Sequence, residues 1–427
     1  MADEAVLQVG GRTIRLPVVV GSEGERALDI SSLRAQTGHT TLDRGYANTA
    51  SCESAITFID GEKGVLRYRG YPIEELAARS TFVEVAWLLL QGELPSREQL
   101  ASFNALLGRH ALLHEHIRHH FGLFPADGPP MAVLSAVLNA LSCYHPDLLE
   151  AHHVEPLEDA AARVIAKVGT VAAYSHRHAH GLPMVDPDPH KGYIENLLHM
   201  LFSRPYHDFV PDAAMVRVLD LLLILHADHE QSCSTATVRM AGSSAANLFT
   251  SVAAGVSALW GPLHGGANVA VVEMLERIHA ERIPVARFVE QVKARRHGIR
   301  LMGFGHRVYR SFDPRARIIK AACRQVLEAM HRQDPLFDLA QDIEEVALRD
   351  DYFAERRLYP NIDLYSGVLM RAIGIPKPVF TVVFAIGRMP GWIAQWHEET
   401  EQTRIGRPRQ VYTGPRGRAY VPVEQRG

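Results

Sequence analysis

Between about residues 81 and 385, the apolar stretches of this chain repeat with the period of a helix, and the breaks fall at glycine, proline or a capping residue. Thr81-Phe82-Val83-Glu84 and Ser96-Arg97-Glu98-Gln99 fit capping boxes, the first leading into residues 85–90 and a stop at Gly92. Helical windows follow at about 131–143, 159–174, 193–202, 212–229, 245–259 and 266–281. Asp313-Pro314 is placed to open a helix reaching Met330, with proline at the first helical position. Further helices are expected at about 336–355, 362–373 and 377–385. Strand signals are confined to the N-terminal part, where residues 5–20 alternate about Gly10-Gly11 and residues 56–59 meet Asp60-Gly61 before Val65–Tyr68. The expected class is mainly α with a short β segment. Residues 120–130, rich in glycine and proline, read as a loop, and the basic tail from Arg404 as non-helical.

At 427 residues the chain exceeds the roughly 250–300 at which a single core stops growing, so two domains are expected. A formal net charge of −3 gives no global pull toward nucleic acid or an anionic membrane. Cys52, Cys143, Cys233 and Cys323 are far apart with no C-x-x-C pair, which argues against a disulfide framework or a cysteine zinc site and fits a reducing cytosol. The acidic start Met1-Ala2-Asp3-Glu4 has no apolar h-region after it, and the apolar run at 221–225 is too short for a bilayer, so a cytoplasmic location is expected. A P-loop, a G-x-G-x-x-G after a strand and a G-x-S-x-G elbow are all missing, and no cofactor or metal is expected.

Two segments carry the chemistry. Gly261-Pro262-Leu263-His264-Gly265-Gly266-Ala267-Asn268 and Met302-Gly303-Phe304-Gly305-His306-Arg307-Val308-Tyr309-Arg310 each set one histidine among glycines between helices. Glycine costs a helix interior roughly 1 kcal/mol against alanine and lets backbone N–H groups approach a ligand. Histidines held there suit proton transfer to carbonyl oxygens, two of them to two carbonyls. The competing reading is a pair of capping or buried histidines. Asp363, in Tyr359-Pro360-Asn361-Ile362-Asp363-Leu364-Tyr365, falls in the first turn of a helix, where an aspartate is commonly a cap or dipole partner; apolar neighbours would instead make it a better base. Arg315, Arg388 and Arg407 stand beside glycine or proline, as fixed recognition of a polycarboxylate requires, against the alternative of solvated surface arginines. His226 and His229, three apart at the end of an apolar helix, would share a face, but no third metal ligand is evident. The clusters His176/His178/His180 and His114/His116/His119/His120 read as solvated surface.

Taken together with Phe58-Ile59-Asp60-Gly61-Glu62-Lys63-Gly64-Val65, His226-Ala227-Asp228-His229-Glu230, Asp313-Pro314-Arg315, Asn361-Ile362-Asp363 and Arg407-Pro408-Arg409-Gln410, these motifs resemble those of the citrate synthases over nearly the whole chain. The N-terminal β segment and the tail from Arg407 to Gly414 are similar to the bacterial, hexamer-forming class. The resemblance implies a helical fold with a smaller domain at 272–384 inserted in a larger one of 1–271 and 385–427. It implies condensation of acetyl-CoA with oxaloacetate and hydrolysis of citryl-CoA. In that scheme Asp363 is the base, His264 donates to the thioester oxygen and His306 protonates the oxaloacetate carbonyl. His229, Arg315, Arg388 and a neighbouring subunit's Arg407 hold oxaloacetate, and Arg310 contacts CoA phosphate. A dimer-based homo-oligomer, a hexamer in this class, and an NADH effector site at Arg109, His110, Tyr144, Arg163 and Lys167 are also implied. The class's reactive cysteine is Tyr206 here, so thiol modulation at that position is not expected. The runner-up is 2-methylcitrate synthesis from propionyl-CoA, and the reading from another class is a histidine-rich metal-binding or interaction protein.

Overall fold

A computed structural model describes residues 3–150, 156–295, 298–402 and 404–426. The chain divides into two compact units, residues 1–53 with 406–427 and residues 54–405.

In the first unit, strands Glu4–Val9, Arg12–Val20 and Arg26–Leu28 form an antiparallel sheet in sequence order. Gly10 and Gly11 take φ of 58° and 75°, the paired left-handed conformation of a tight hairpin turn, and Val9 faces Arg12. Ile14 and Leu16 pack with Leu33 of the short Leu33–Thr37 helix. Described residues from Gly406 onward are exposed and form neither helix nor strand apart from one turn at Val423–Gln425.

The second unit is helical around one core. Its small sheet, Thr57–Asp60, Val65–Tyr68 and Tyr71–Pro72, is the hairpin expected at Asp60-Gly61. Both capping boxes form, Thr81 with Glu84 and Ser96 with Gln99. The window at 193–202 forms with its expected ends, and most others appear with shifted ends: Pro130–Leu141, Leu157–Ala179, Leu248–Leu259, Ala267–Ala280 and Pro314–Ala329. Three do not. The window at 336–355 is two helices, Pro335–Leu348 and Asp351–Glu355, because the Asp350 carboxylate accepts the amide of Tyr352 and starts a new cap. The window at 212–229 stops at His226, so His226 and His229 do not share a helical face. The window at 377–385 runs on as Phe380–Thr400.

That last helix is the central beam of the unit, packed against Phe82–Gln91, Leu157–Ala179, Ala213–His226, Cys233–Gly242 and Leu248–Leu259, with Trp392 and Trp396 fully buried. Gly387 and Gly391 look like helix breakers, yet they permit close packing. A Cβ at Gly391 would lie 2.2 Å from the carbonyl oxygen of Ala227, and one at Gly387 would lie 3.1 Å from His226 Cβ. The beam thus runs hard against the segment that carries His226 and His229. No helix of the described residues is long and apolar enough to cross a membrane.

Candidate active site

The turn after Leu248–Leu259 holds His264. Gly265 donates its amide to the Leu259 carbonyl (2.9 Å), and a Cβ there would lie 2.4 Å from that oxygen, so a side chain would force the turn open. His264 Nε2 accepts the backbone N–H of Ser234 (3.3 Å) and lies 2.8 Å from Ser234 Oγ. An N–H can only donate, so Nε2 carries the lone pair and the proton of the neutral ring sits on Nδ1. Burial, with Arg388 adding to it, lowers the His264 pKa to about 4. His306 is the mirror case. Its Nδ1 accepts the amides of Val308 (3.0 Å) and Tyr309 (3.2 Å), which puts the proton on Nε2, and burial with Arg315 lowers its pKa to about 4. Both rings are uncharged donors at neutral pH. The bland reading of buried, turn-capping histidines therefore describes one nitrogen of each ring and, among the described residues, leaves the other without a partner.

The His306 loop is fixed from two sides. Gly61, in the hairpin turn, accepts the Arg310 amide (2.9 Å), and a Cβ on it would lie 2.2 Å from the Val308 carbonyl oxygen. On the other side the loop is zipped to the segment before Asp363. Gly305 donates to Tyr359 O (2.7 Å), Asn361 N to Gly303 O (2.9 Å) and Asn361 Nδ2 to Gly305 O (2.8 Å). Gly303 and Gly305 have φ of 79° and 78°, which only glycine adopts without strain. Asp363 opens helix Asp363–Ala372, but Asn361 Oδ1, not the Asp363 carboxylate, caps that turn by accepting the Asp363 amide (3.0 Å). The cap reading of Asp363 fails. Burial raises its pKa to about 6, with Arg315 opposing and Asp313 assisting.

Two buried arginines stand beside these groups. Arg315 is held by Asp313 through Nε and Nη2, both at 3.0 Å, and lies over the Tyr309 ring. Arg388 donates Nε to the His226 carbonyl (2.6 Å) and Nη1 to Ser232 Oγ (3.2 Å), over the Phe384 ring. His229 is buried, with Nε2 3.3 Å from Tyr309 OH and its ring centroid 5.1 Å from that of His306. Burial, then Arg315, His306 and Arg388, push its pKa well down. Phe384 joins the two sides, 4.5 Å from the His226 ring and 6.3 Å from the His264 ring. Two neutral imidazole donors, a carboxylate with a raised pKa and two buried guanidinium groups suit proton abstraction next to a carbonyl on a substrate rich in carboxylates.

The comparisons decide which chemistry family this is. A family profile described as "Citrate synthase, C-terminal domain" matches residues 45–409. Citrate synthase 1 of Mycobacterium tuberculosis is 50% identical over 426 residues, 99% of each chain. The citrate synthase of Corynebacterium glutamicum is 48% identical over 427 residues, 99% of this chain and 98% of that one. The chain belongs to the citrate synthase family. It is an enzyme, an acyltransferase of the citrate synthase type. Its fold is shared with the citrate synthase of Pyrobaculum aerophilum (TM-score 0.80, 37% identity, 96% and 97% covered). It is shared also with that of Thermoplasma acidophilum, solved as a ternary complex with carboxymethyl coenzyme A and oxaloacetate (TM-score 0.81, 29% identity, 90% and 100% covered).

Several residues singled out from the sequence lie elsewhere. Arg310 is exposed, and its amide rather than its side chain is the part engaged with Gly61. Arg407 belongs to the other compact unit, in an exposed stretch without regular secondary structure. Among the candidates for NADH, Arg109 is exposed, and Tyr144 packs on His114. His110 Nε2 lies 3.0 Å from Asp159; Arg163 pairs with Asp147 (2.5 Å) and Asp159 (2.7 Å); Lys167 is buried, with Nζ on the His110 carbonyl (2.7 Å). Arg163 and Lys167 are thus not the open cationic face that their spacing suggests. Among the described residues no group of three His, Cys, Asp or Glu is placed to hold a metal ion.

Sequence reasoning did not single out Ser234, which fixes the His264 tautomer, or Tyr309. Ser234 lies on Cys233–Gly242, a helix whose serines and threonines give no amphipathic signal; the only cue is Ser232 three residues before Thr235, whose amide it caps.

Proposed function

We propose that the chain condenses acetyl-CoA with oxaloacetate and hydrolyses the resulting citryl-CoA, with the residues above in the following roles. The Asp363 carboxylate takes a proton from the acetyl methyl. Nδ1–H of His264 donates to the thioester oxygen as negative charge builds there, giving an enol-like nucleophile. That carbon attacks the oxaloacetate ketone, whose oxygen takes its proton from Nε2–H of His306. Water then cleaves the thioester to citrate and CoA. Arg315, Arg388 and His229 hold the oxaloacetate carboxylates, joined by Arg407 of a neighbouring subunit, and Arg310 meets CoA phosphate. The scheme needs no further cofactor.

The observation that carries this reading is the pair of opposite tautomers, each fixed by backbone amides, beside a carboxylate held near pKa 6. A thioester α-proton is weakly acidic, so the base works only if charge on the oxygen is stabilised as it forms, and a neutral donor already oriented does that without reorganisation. Closure of a smaller part, 272–384, over the rest would exclude water from the intermediate. A dimer-based hexamer in the cytoplasm completes the reading. An NADH effect at Arg163 and Lys167 would require their present ion-pair and carbonyl contacts to open, and titration of activity with NADH decides it. The primary test is release of free thiol from acetyl-CoA, dependent on oxaloacetate. No release, or a higher kcat/KM for propionyl-CoA, overturns the assignment of substrate.

A further inference from the structure

One buried carboxylate with no role in that scheme touches both halves of it. Asp313 is 1% exposed and accepts four hydrogen bonds. Its Oδ1 takes the Arg315 backbone N–H and Nε–H, each at 3.0 Å. Its Oδ2 takes Arg315 Nη2–H at 3.0 Å and the amide of Ile362, immediately before Asp363, at 3.1 Å. The first of these bonds caps helix Pro314–Ala329. The next two occupy the side-on fork of the guanidinium. Arginine has five N–H donors, so both hydrogens of Nη1 and one of Nη2 remain, which is the end-on fork that grips a carboxylate with two bonds. Among the described residues the Arg315 side chain makes no other hydrogen bond.

We propose that Asp313 is a positioning residue that sets the end-on fork of Arg315 in register with the base Asp363, so that a carboxylate arriving on Arg315 is felt at the base. The proposal rests on the reading above, in which Asp363 is the base and Arg315 an anchor for oxaloacetate. The electrostatics agree: Arg315 lowers the pKa of Asp363 and Asp313 raises it, so toward the base the two charges oppose one another. The nearby charges on the packed helices are closed on one another. Lys320 meets Glu344 at 2.7 Å beside Tyr365, Glu276 meets Lys377 at 2.6 Å, and Arg371 pairs with Asp334. An anion on Arg315 would cancel the positive member and leave the negative one facing Asp363, making it a stronger base when the acceptor is in place.

Asp313→Asn tests this, since asparagine keeps the cap acceptor and the shape but removes the charge. Three results are expected: the KM for oxaloacetate rises tenfold or more, the acid limb of kcat/KM for acetyl-CoA moves to lower pH, and Asp313→Glu returns the limb toward its original place. A KM or kcat change with an unmoved limb would mark a merely structural role and overturn the proposal. If Asp313→Asn does not fold, the unmutated enzyme supplies the measurement. The acid limb for acetyl-CoA must lie at higher pH with saturating oxaloacetate than with subsaturating oxaloacetate, and coincident limbs overturn the coupling. If instead Asp363→Asn retains turnover, the underlying reading fails, whatever Asp313 does.

Discussion

Two regions of this molecule gather cationic side chains, and they use them in opposite ways. Around His306 and Asp363, Arg315 meets a single carboxylate, and Arg388 is held by a carbonyl and a hydroxyl, so each keeps N–H donors uncommitted. Around the Leu157–Ala179 helix, Arg163 is closed between two carboxylates, Asp147 and Asp159, and Lys167 is closed on a carbonyl. Burying a guanidinium without full ionic compensation is costly, and such a cost persists where a ligand is to supply the missing anion. The number of acids at hydrogen-bond distance separates a recognition site from a structural clamp.

The sharpest way to break that contrast is to remove the proposed base. Asp363→Asn should leave binding largely intact and reduce turnover about 10⁴-fold, the upper range for a positioned acid–base group. Substantial residual kcat would place the chemistry elsewhere. His306→Ala should follow with a loss of about 10²–10³-fold in kcat, measured by thiol release. Its neutral ring donates one proton or hydrogen bond, which water can partly replace.

The pH profile sharpens the same point. Asp363 must be ionised to act, and its pKa is raised to about 6, so kcat/KM should fall as pH drops through about 6. His264 and His306, lowered to about 4, remain neutral donors across that range and set no limb there. A limb near 4 with none near 6 would contradict the burial of the base. The shift also bears on stability. A carboxyl raised from 3.8 to about 6 is protonated in the folded chain but ionised in the unfolded one between those values, so stability falls as pH rises through that window. Asp363→Asn should therefore stabilise the fold at pH 7, by at most about 3 kcal/mol, in denaturant titrations. The variant that loses the most activity is expected to gain stability.

Much of this was legible in the sequence, and the misses have a common cause. Alternation around Gly10-Gly11, the Thr81 and Ser96 caps and the Asp313-Pro314 helix start depend on residues within a few positions of one another, and they form as expected. The continuation of the last long helix through Gly387, Pro390 and Gly391 was not legible, because the two glycines answer to the backbone of Leu223 and Ala227, some 160 positions away. The same holds for Asp363: its first-turn position argues for a cap, and only the neighbouring Asn361 side chain, folded back onto its amide, releases the carboxylate from that duty. His306 was singled out from its glycines, but the tautomer needs the Val308 and Tyr309 amides to turn inward, a property of the loop rather than of the motif.

The smallest effect expected is the one that tests the second region. Arg163→Gln leaves Asp147 and Asp159 facing each other without their shared cation, while His110 keeps its contact with Asp159. Burial, with Arg163 adding to it, lowers the Lys167 pKa to about 8, so removing Arg163 lets Lys167 hold its proton more firmly. The clamp is partly exposed, and the net cost should be about 1 kcal/mol in denaturant titrations, less at high salt. Turnover and both KM values should stay within about twofold of the unmutated enzyme. A tenfold fall in kcat would show that this region transmits to the catalytic groups, and the separation drawn between clamp and recognition site would not hold.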